Sequence, residues 1–273
     1  MTAVQKLLHA TAVRNLPADD HSAETPLGLW DSFICARIVK ESVATDLLKS
    51  IYGGVFMASV TFEHLTKTYP NGFVSVDDVD LHIEDGEFVV FHGPSGCGKS
   101  TILRMMGGLE DITSGNIYLG RDLLNDILPR DRHLAMAFQN YTLYRNFNAY
   151  DNIALGLRLR NLPRTVIDNR VKEAARFFGI TDILDKKIRS LSAADRQRVA
   201  LSRAIVFRPN VLLVDEDFAH QDENRRGEML RDILKINETL GITVLYVTNK
   251  REEAVGLKKK TVYMKDGKIT DVR

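Results

Sequence analysis

The sequence predicts an α/β fold with a largely parallel sheet, and three observations carry that prediction. Short apolar runs at 88–91, 134–138, 211–214 and 242–247 read as strands. Helical stretches near 195–206 and 224–239 alternate with the later of them. A glycine-rich turn, Gly93–Gly98, joins the strand at 88–91 to a helix beginning near Lys99.

Taken in order, residues 1–56 differ from the rest. Asn15–Pro26 is polar and loop-like, whereas Leu29, Trp30, Phe33, Ile34, Ile38, Leu47, Leu48, Ile51 and Tyr52 recur near helical spacing until Gly53-Gly54. We expect residues 1–56 to be an N-terminal extension and residues 57–273 the folded domain; Met57 is a natural start for that domain. Val60 and Phe62, then Val79, Leu81 and Ile83, alternate with polar neighbours as half-buried strands do. Asp85-Gly86 turns the chain into the run at 88–91. Gly115–Gly120 is a further short strand. Thr165 is placed to cap a helix whose Ile167, Val171, Ala174, Ala175 and Phe178 share one face, with Gly179 ending it. Thr261–Met264, Lys265-Asp266-Gly267-Lys268 and Ile269 read as a terminal hairpin.

The turn is the most informative text in the chain. Gly93-Pro94-Ser95-Gly96-Cys97-Gly98-Lys99-Ser100 is a G-x-x-x-x-G-K-S motif between strand and helix, and Thr101 follows it. Gly93, Gly96 and Gly98 let the backbone curl so that successive N–H groups face phosphate oxygens. Lys99 reaches the terminal phosphates, Ser100 offers a hydroxyl to Mg2+, and the helix adds its positive end. These residues predict binding of a nucleoside triphosphate.

Further candidates lie at strand ends. Val211–Val214 runs into Asp215, suited to hold Mg2+ through water, and Glu216, suited to orient the attacking water as general base. Gln139 follows the strand at 134–138, where its amide can reach the metal or the water. Tyr69 offers a ring on which a base can stack.

Composition narrows the class. The chain has 273 residues, 44% hydrophobic and 27% charged, enough for a full core. A net charge of +1 gives no electrostatic argument for nucleic acid or an anionic membrane. Its two cysteines, Cys35 and Cys97, make no disulfide framework and fit a reducing, cytoplasmic compartment. No apolar run approaches the roughly 20 residues needed to span a bilayer, and no signal peptide is evident, so membrane association is expected only through partners.

From Met57 onward the chain resembles the ATP-binding subunits of ABC transporters, above all carbohydrate importers of the maltodextrin and glycerol-phosphate type. The resemblance rests on Gly93–Thr101, Gly107–Gly115, Asp131–Gln139, Asn140–Tyr144, Asp151–Arg160, Arg196–Ala200 and Val211–Glu216. It implies a P-loop ATPase with a mixed-sheet core and an inserted helical subdomain at about 140–190 that docks on membrane subunits. It implies ATP and Mg2+ as ligands, with Tyr69 stacking on adenine and Gln139, Ser100 and Asp215 near the metal. It also implies a head-to-tail dimer, with this chain or another ATPase, on the cytoplasmic face of the membrane. Each ATP would then lie between one phosphate loop and the partner's signature helix. Importers of this type carry a C-terminal regulatory domain, which we do not expect here because the sequence ends at Arg273.

Several positions depart from the family text. Its signature L-S-G-G-Q is here Leu191-Ser192-Ala193-Ala194-Asp195. Ala193 and Ala194 add Cβ atoms where backbone meets the partner's γ-phosphate. Asp195 adds a negative charge facing another; at an effective dielectric of ~20 and ~6 Å such a pair costs roughly 3 kcal/mol. The family's V-T-H is here Val247-Thr248-Asn249, so Asn249 can hydrogen-bond the γ-phosphate but cannot carry a proton. Asp217 replaces a usual proline, and Ala219-His220-Gln221-Asp222 keeps only the aspartate of the family's S-x-L-D. These departures predict ATP binding with weakened turnover, or a pseudo-ATPase with a regulatory or vestigial role. Asn249-Lys250-Arg251-Glu252 also approximates a guanine-reading N-K-x-D, though no D-x-x-G accompanies it.

Overall fold

The computed structural model describes residues 59–138, 143–215 and 223–273. The extension expected over residues 1–56, with Cys35, lies outside them. The first half runs β1 (Val60–Thr68), β2 (Val74–Ile83), β3 (Phe88–His92), α1 (Lys99–Met106), β4 (Ser114–Leu119), β5 (Asp122–Leu123) and β6 (Leu134–Phe138). Next come α2 (Ala149–Leu159), α3 (Arg164–Phe178), α4 (Ala193–Ile205), β7 (Val211–Asp215) and α5 (Glu223–Leu240). The chain finishes with β8 (Thr243–Thr248), α6 (Arg251–Gly256), β9 (Lys260–Lys265) and β10 (Lys268–Val272).

The strands form two sheets of different construction. One is antiparallel, in the order β2-β1-β4-β5; the other runs β10-β9-β3-β8-β7-β6. In the second sheet only the β9–β10 hairpin is antiparallel. The largely parallel sheet is therefore real but does not include the alternating segments. Half-buried alternation suits an antiparallel sheet with one face covered, and a parallel sheet requires runs that are apolar throughout.

Those apolar runs divide between two cores, residue by residue. Val89 and Phe91, Val211 and Leu213, and Leu245 and Val247 face the core shared with α1 and the antiparallel sheet. Phe88 and Val90, Leu212 and Val214, and Val244 and Tyr246 face the other core, with residues of α2 to α5. A period of two places successive side chains on opposite faces, so each central strand is buried on both. The layers are antiparallel sheet, α1, six-stranded sheet, then helices.

Two element boundaries differ from expectation. In α3, Ile167, Val171, Ala174, Ala175 and Phe178 are the buried face and Gly179 ends the helix at φ 66°. Thr165 does not cap it. Pro163 occupies the cap position and gives no side-chain hydrogen bond, leaving Thr165 inside the first turn. Helix α4 begins at Ala193, two residues early, because the Ser192 hydroxyl accepts the N–H of Asp195 and caps the helix there. Among the described residues, no helix is long and apolar enough to cross a membrane.

Candidate functional site

The parallel strands bring the predicted residues to one edge. His92, the last residue of β3, pairs with Thr248, the last of β8. Asp215, ending β7, pairs with Val247 on one side and with Phe138, ending β6, on the other. The segments that follow these strands, Gly93 onward and Asn249 onward, therefore start at the carboxyl edge, where open α/β sheets bind ligands. Gln139 and Glu216 follow β6 and β7 in sequence and lie outside the described residues.

The loop has the geometry its glycines predict. Gly96 and Gly98 adopt φ 80° and 102°, a region L side chains rarely enter. A Cβ at Gly98 would also lie 2.2 Å from the Ser75 carbonyl oxygen, and one at Gly93 2.2 Å from that of Met264. Neighbouring backbone closes on the loop from both sheets, so only hydrogen fits at either position. Gly98 precedes α1 and supplies no side-chain cap, and no acidic residue occupies the first turn. That end of α1 offers backbone N–H donors and positive dipole to an anion.

Lys99 is buried, and its ammonium turns back over the loop. Nζ donates to the carbonyls of Gly93 and Pro94, each at 2.8 Å, and lies 3.5 Å from the Cys97 sulfur. Ser100 Oγ donates to Asp215 Oδ1 at 2.7 Å. Two oxygen ligands of the kind a hard divalent cation takes thus meet beside the loop, and the residues fit Mg2+. Thr101 is buried, and its hydroxyl pairs with that of Ser75 at 2.9 Å. What Thr101 offers a ligand is its backbone.

Tyr69 sits just past β1, in a turn closed by Tyr69 N–H to the Phe73 carbonyl at 2.9 Å. Its ring stacks on Phe73 at 6.3 Å, with Lys67 Nζ 5.3 Å from the centroid. A hydrogen bond to Glu110, together with burial, holds the phenol above its ordinary pKa. Asn249 is exposed in the bend after β8.

Ser192, Ala193, Ala194 and Asp195 stand apart from this cluster, at the start of α4. The Ser192 hydroxyl donates to Asp195 Oδ2 at 2.7 Å while accepting the Asp195 N–H at 3.0 Å. The hydroxyl caps the helix, and the Asp195 carboxylate accepts the serine's proton where a capping box would accept the Ser192 backbone N–H. It commits the serine's proton within the chain.

The sequence pattern of the ABC transporter family matches residues 76–219, more than half of the chain. This chain belongs to the ABC transporter family. It is 47% identical over 216 residues to the oligosaccharides import ATP-binding protein MsmX of Bacillus subtilis, covering 79% of this chain and 59% of that protein. The sn-glycerol-3-phosphate import ATP-binding protein UgpC of Rhodopseudomonas palustris matches with the same identity and coverage. The chain thus spans about three-fifths of the length of the relatives it matches. An ATP-binding cassette solved as a dimer in a post-hydrolysis state with ADP and Pi superposes with a TM-score of 0.65 at 28% identity. That match covers 78% of this chain and 97% of the other.

Within this ABC fold, Arg132, Ser75 and His92 support the loop, and none of them was a candidate site residue in the sequence. Arg132 is buried, and its Nη1 donates to the carbonyls of Met105 and Met106 at 2.7 and 2.8 Å. It caps the far end of α1 with a positive group, where the dipole favours one. Ser75 anchors Thr101. His92 ends the strand feeding the loop, its ring edge-on to Tyr263 at 5.6 Å and its buried Nδ1 without a partner among the described residues. Burial, then the nearby Lys99 and Arg251 charges, lower its pKa against a raising contact from the Thr248 backbone. A histidine inside an otherwise apolar strand was the available clue.

Proposed function

We propose that this chain is the ATP-binding subunit of an ABC importer, coupling ATP binding and hydrolysis to uptake of a sugar or sugar phosphate. The observation that carries the reading is the folded phosphate loop. Lys99 is held over it by two carbonyls at 2.8 Å, and the Ser100–Asp215 pair lies alongside. The names of MsmX and UgpC support the substrate class, and the dimeric cassette supports assembly in pairs.

On this reading the loop N–H groups and the start of α1 receive the phosphates. Lys99 then exchanges neutral carbonyls for charged oxygens, which make the stronger hydrogen bonds. Ser100 and Asp215, with Gln139, would hold Mg2+, which when bound neutralises charge across the β- and γ-phosphate oxygens. Tyr69 receives the adenine. Glu216 orients water as general base, and Asn249 hydrogen-bonds the γ-phosphate. Residues at about 140–190 dock on membrane subunits, so the protein is cytoplasmic and peripheral on the inner face of the membrane. It pairs with a second copy or with another ABC ATPase.

Turnover is weak on this reading. The Ser192 hydroxyl that would meet a partner's γ-phosphate already donates to Asp195, whose carboxylate repels that phosphate. The same contact favours a second reading, an ATP-binding pseudo-ATPase with a regulatory or vestigial role. Calorimetry with Mg2+ and ATP, paired with a phosphate-release assay, tests both. Micromolar ATP binding with release far below that of an intact relative is expected. Absence of binding heat sinks the nucleotide reading, and robust release removes the impairment. If substituting Glu216 by Gln leaves residual release unchanged, the pseudo-ATPase reading stands.

A further inference from the structure

Thr248 is the last residue of β8 and almost completely buried, while Asn249, the next residue, is exposed. The Thr248 hydroxyl uses both of its capacities. It accepts the N–H of Lys250 at 3.1 Å, bridging across Asn249, and it donates to Glu253 Oε2 at 2.8 Å. Tyr246 donates to the same oxygen at 2.9 Å. The other carboxylate oxygen, Oε1, takes Arg226 Nη1 at 3.0 Å. Both side chains of that ion pair are about nine-tenths buried.

These bonds run in series from the turn at Asn249, through α6, to α5. Arg226 lies in α5, the helix entered directly after residues 216–222. Glu253 lies in α6, and Thr248 closes the turn that presents Asn249. A threonine hydroxyl with its proton and a lone pair both engaged has no free rotor, so the turn across Asn249 is held in one conformation. A buried carboxylate accepting from an ion-pair partner and two hydroxyls is likewise fixed in place, because losing one partner strands charge away from water.

We infer that Arg226, Glu253 and Thr248 are positioning residues: a buried relay that sets the Asn249 amide toward the terminal phosphate and couples it to α5. This rests on the nucleotide reading above. None of the three touches nucleotide in that reading; they act through Asn249. The relay should therefore appear in how well the protein tells ATP from ADP.

The test is calorimetric affinity for ATP and for ADP, with Mg2+, on the full chain and its N249A, T248V, T248S and E253Q variants. The unaltered chain is expected to prefer ATP. T248V should lose about tenfold of that preference, the scale of one hydrogen bond to a charged group, with ADP affinity kept. N249A should lose as much, and combining the two should cost no more than N249A alone. T248S, which restores the hydroxyl, should restore the preference. E253Q keeps the volume of Glu253 and removes the ion pair, so it should lose the preference even where T248V fails to fold.

Several results overturn the relay. Unchanged ATP preference in folded T248V or E253Q does so, as do additive losses with N249A or a T248S that fails to rescue. A chain with no ATP preference, or an N249A without effect, removes the relay's target and overturns it while leaving nucleotide binding intact. Absence of ATP binding altogether strikes instead at the function proposed above.

Discussion

Ser100 Oγ and Asp215 Oδ1 stand 2.7 Å apart, joining the first turn of α1 to the end of β7. The bond joins two elements that are distant in sequence, and it sets side by side the two oxygens proposed to hold Mg2+. A hydroxyl that donates to a carboxylate keeps its lone pairs free for a metal.

Replacing Asp215 by Asn tests that double role. The amide oxygen can still accept from Ser100, so the thermal midpoint should hold. The charge proposed to attract Mg2+ is gone, and ATP affinity with Mg2+ should fall by about 10- to 100-fold. Affinity in excess chelator should not fall. Calorimetry with and without EDTA reads the difference, and an equal loss in both would assign Asp215 a purely structural part.

Arg132 supports the same helix from its other end, and this support is expected to appear in stability. Its guanidinium donates to Met105 and Met106 and, through Nε, to the Ile127 carbonyl at 2.8 Å. Substituting Met keeps much of the volume and strands these buried acceptors, at a cost of about 3 kcal/mol. For a domain of this size that lowers the melting midpoint by roughly 6–12 °C. An unchanged melt would mean that water satisfies those carbonyls.

What the sequence made legible follows from how local each feature is. The phosphate loop was readable because glycine at a left-handed φ is required residue by residue, as at Gly96 and Gly98. Strands β3, β7 and β8 were readable because burial on both faces leaves an unbroken apolar run. The division into two sheets was not, since strand pairing is a long-range choice that Val60 or Val79 does not encode alone. The capping role of Arg132 was not readable, because its partners are backbone carbonyls, which have no sequence signature. The charge of Asp195 was visible, but its bond to Ser192 was not, because the helix was expected to start near residue 195 and begins at Ala193. Gln139 and Glu216, central to the chemistry expected, fall outside the described residues.

His92 gives the protein a pH dependence of known sign. Burial first, and then Lys99 and Arg251, hold its folded pKa below the ordinary 6.5. In the unfolded chain it takes a proton at a pH where the folded chain refuses one, so stability rises with pH through that range. The contribution is complete above about 6.5 and is lost as pH falls through the lowered folded value. His64, raised by its bond to Asp78, acts in the opposite direction and is present in both proteins compared. Denaturant melts between pH 5 and 7.5 should therefore show a weaker loss on acidification in H92V than in the unaltered chain. Parallel curves would mean that His92 is solvated in the folded state.

Asp195→Gln isolates the proposed role of Asp195 in weakening closure of the ATP sandwich. The cap itself is the residue-195 N–H donating to the Ser192 hydroxyl, which Gln leaves in place, so α4 should keep its start and the melt its midpoint. The substitution replaces the charged acceptor of the Ser192 proton by a neutral one and removes a charge whose repulsion of a phosphate is worth roughly 3 kcal/mol at most, or about 100-fold in an equilibrium. In an E216Q background, which retains ATP unhydrolysed if Glu216 is the base, D195Q should let Mg2+-ATP drive dimerisation at concentrations where E216Q alone remains monomeric. Light scattering against concentration reads that shift directly. The effect should shrink as salt rises, because it is electrostatic at an exposed face. If D195Q dimerises no better than its parent, the obstruction lies in the Cβ atoms of Ala193 and Ala194. Restoring glycine there should then bring the two halves together where removing charge did not.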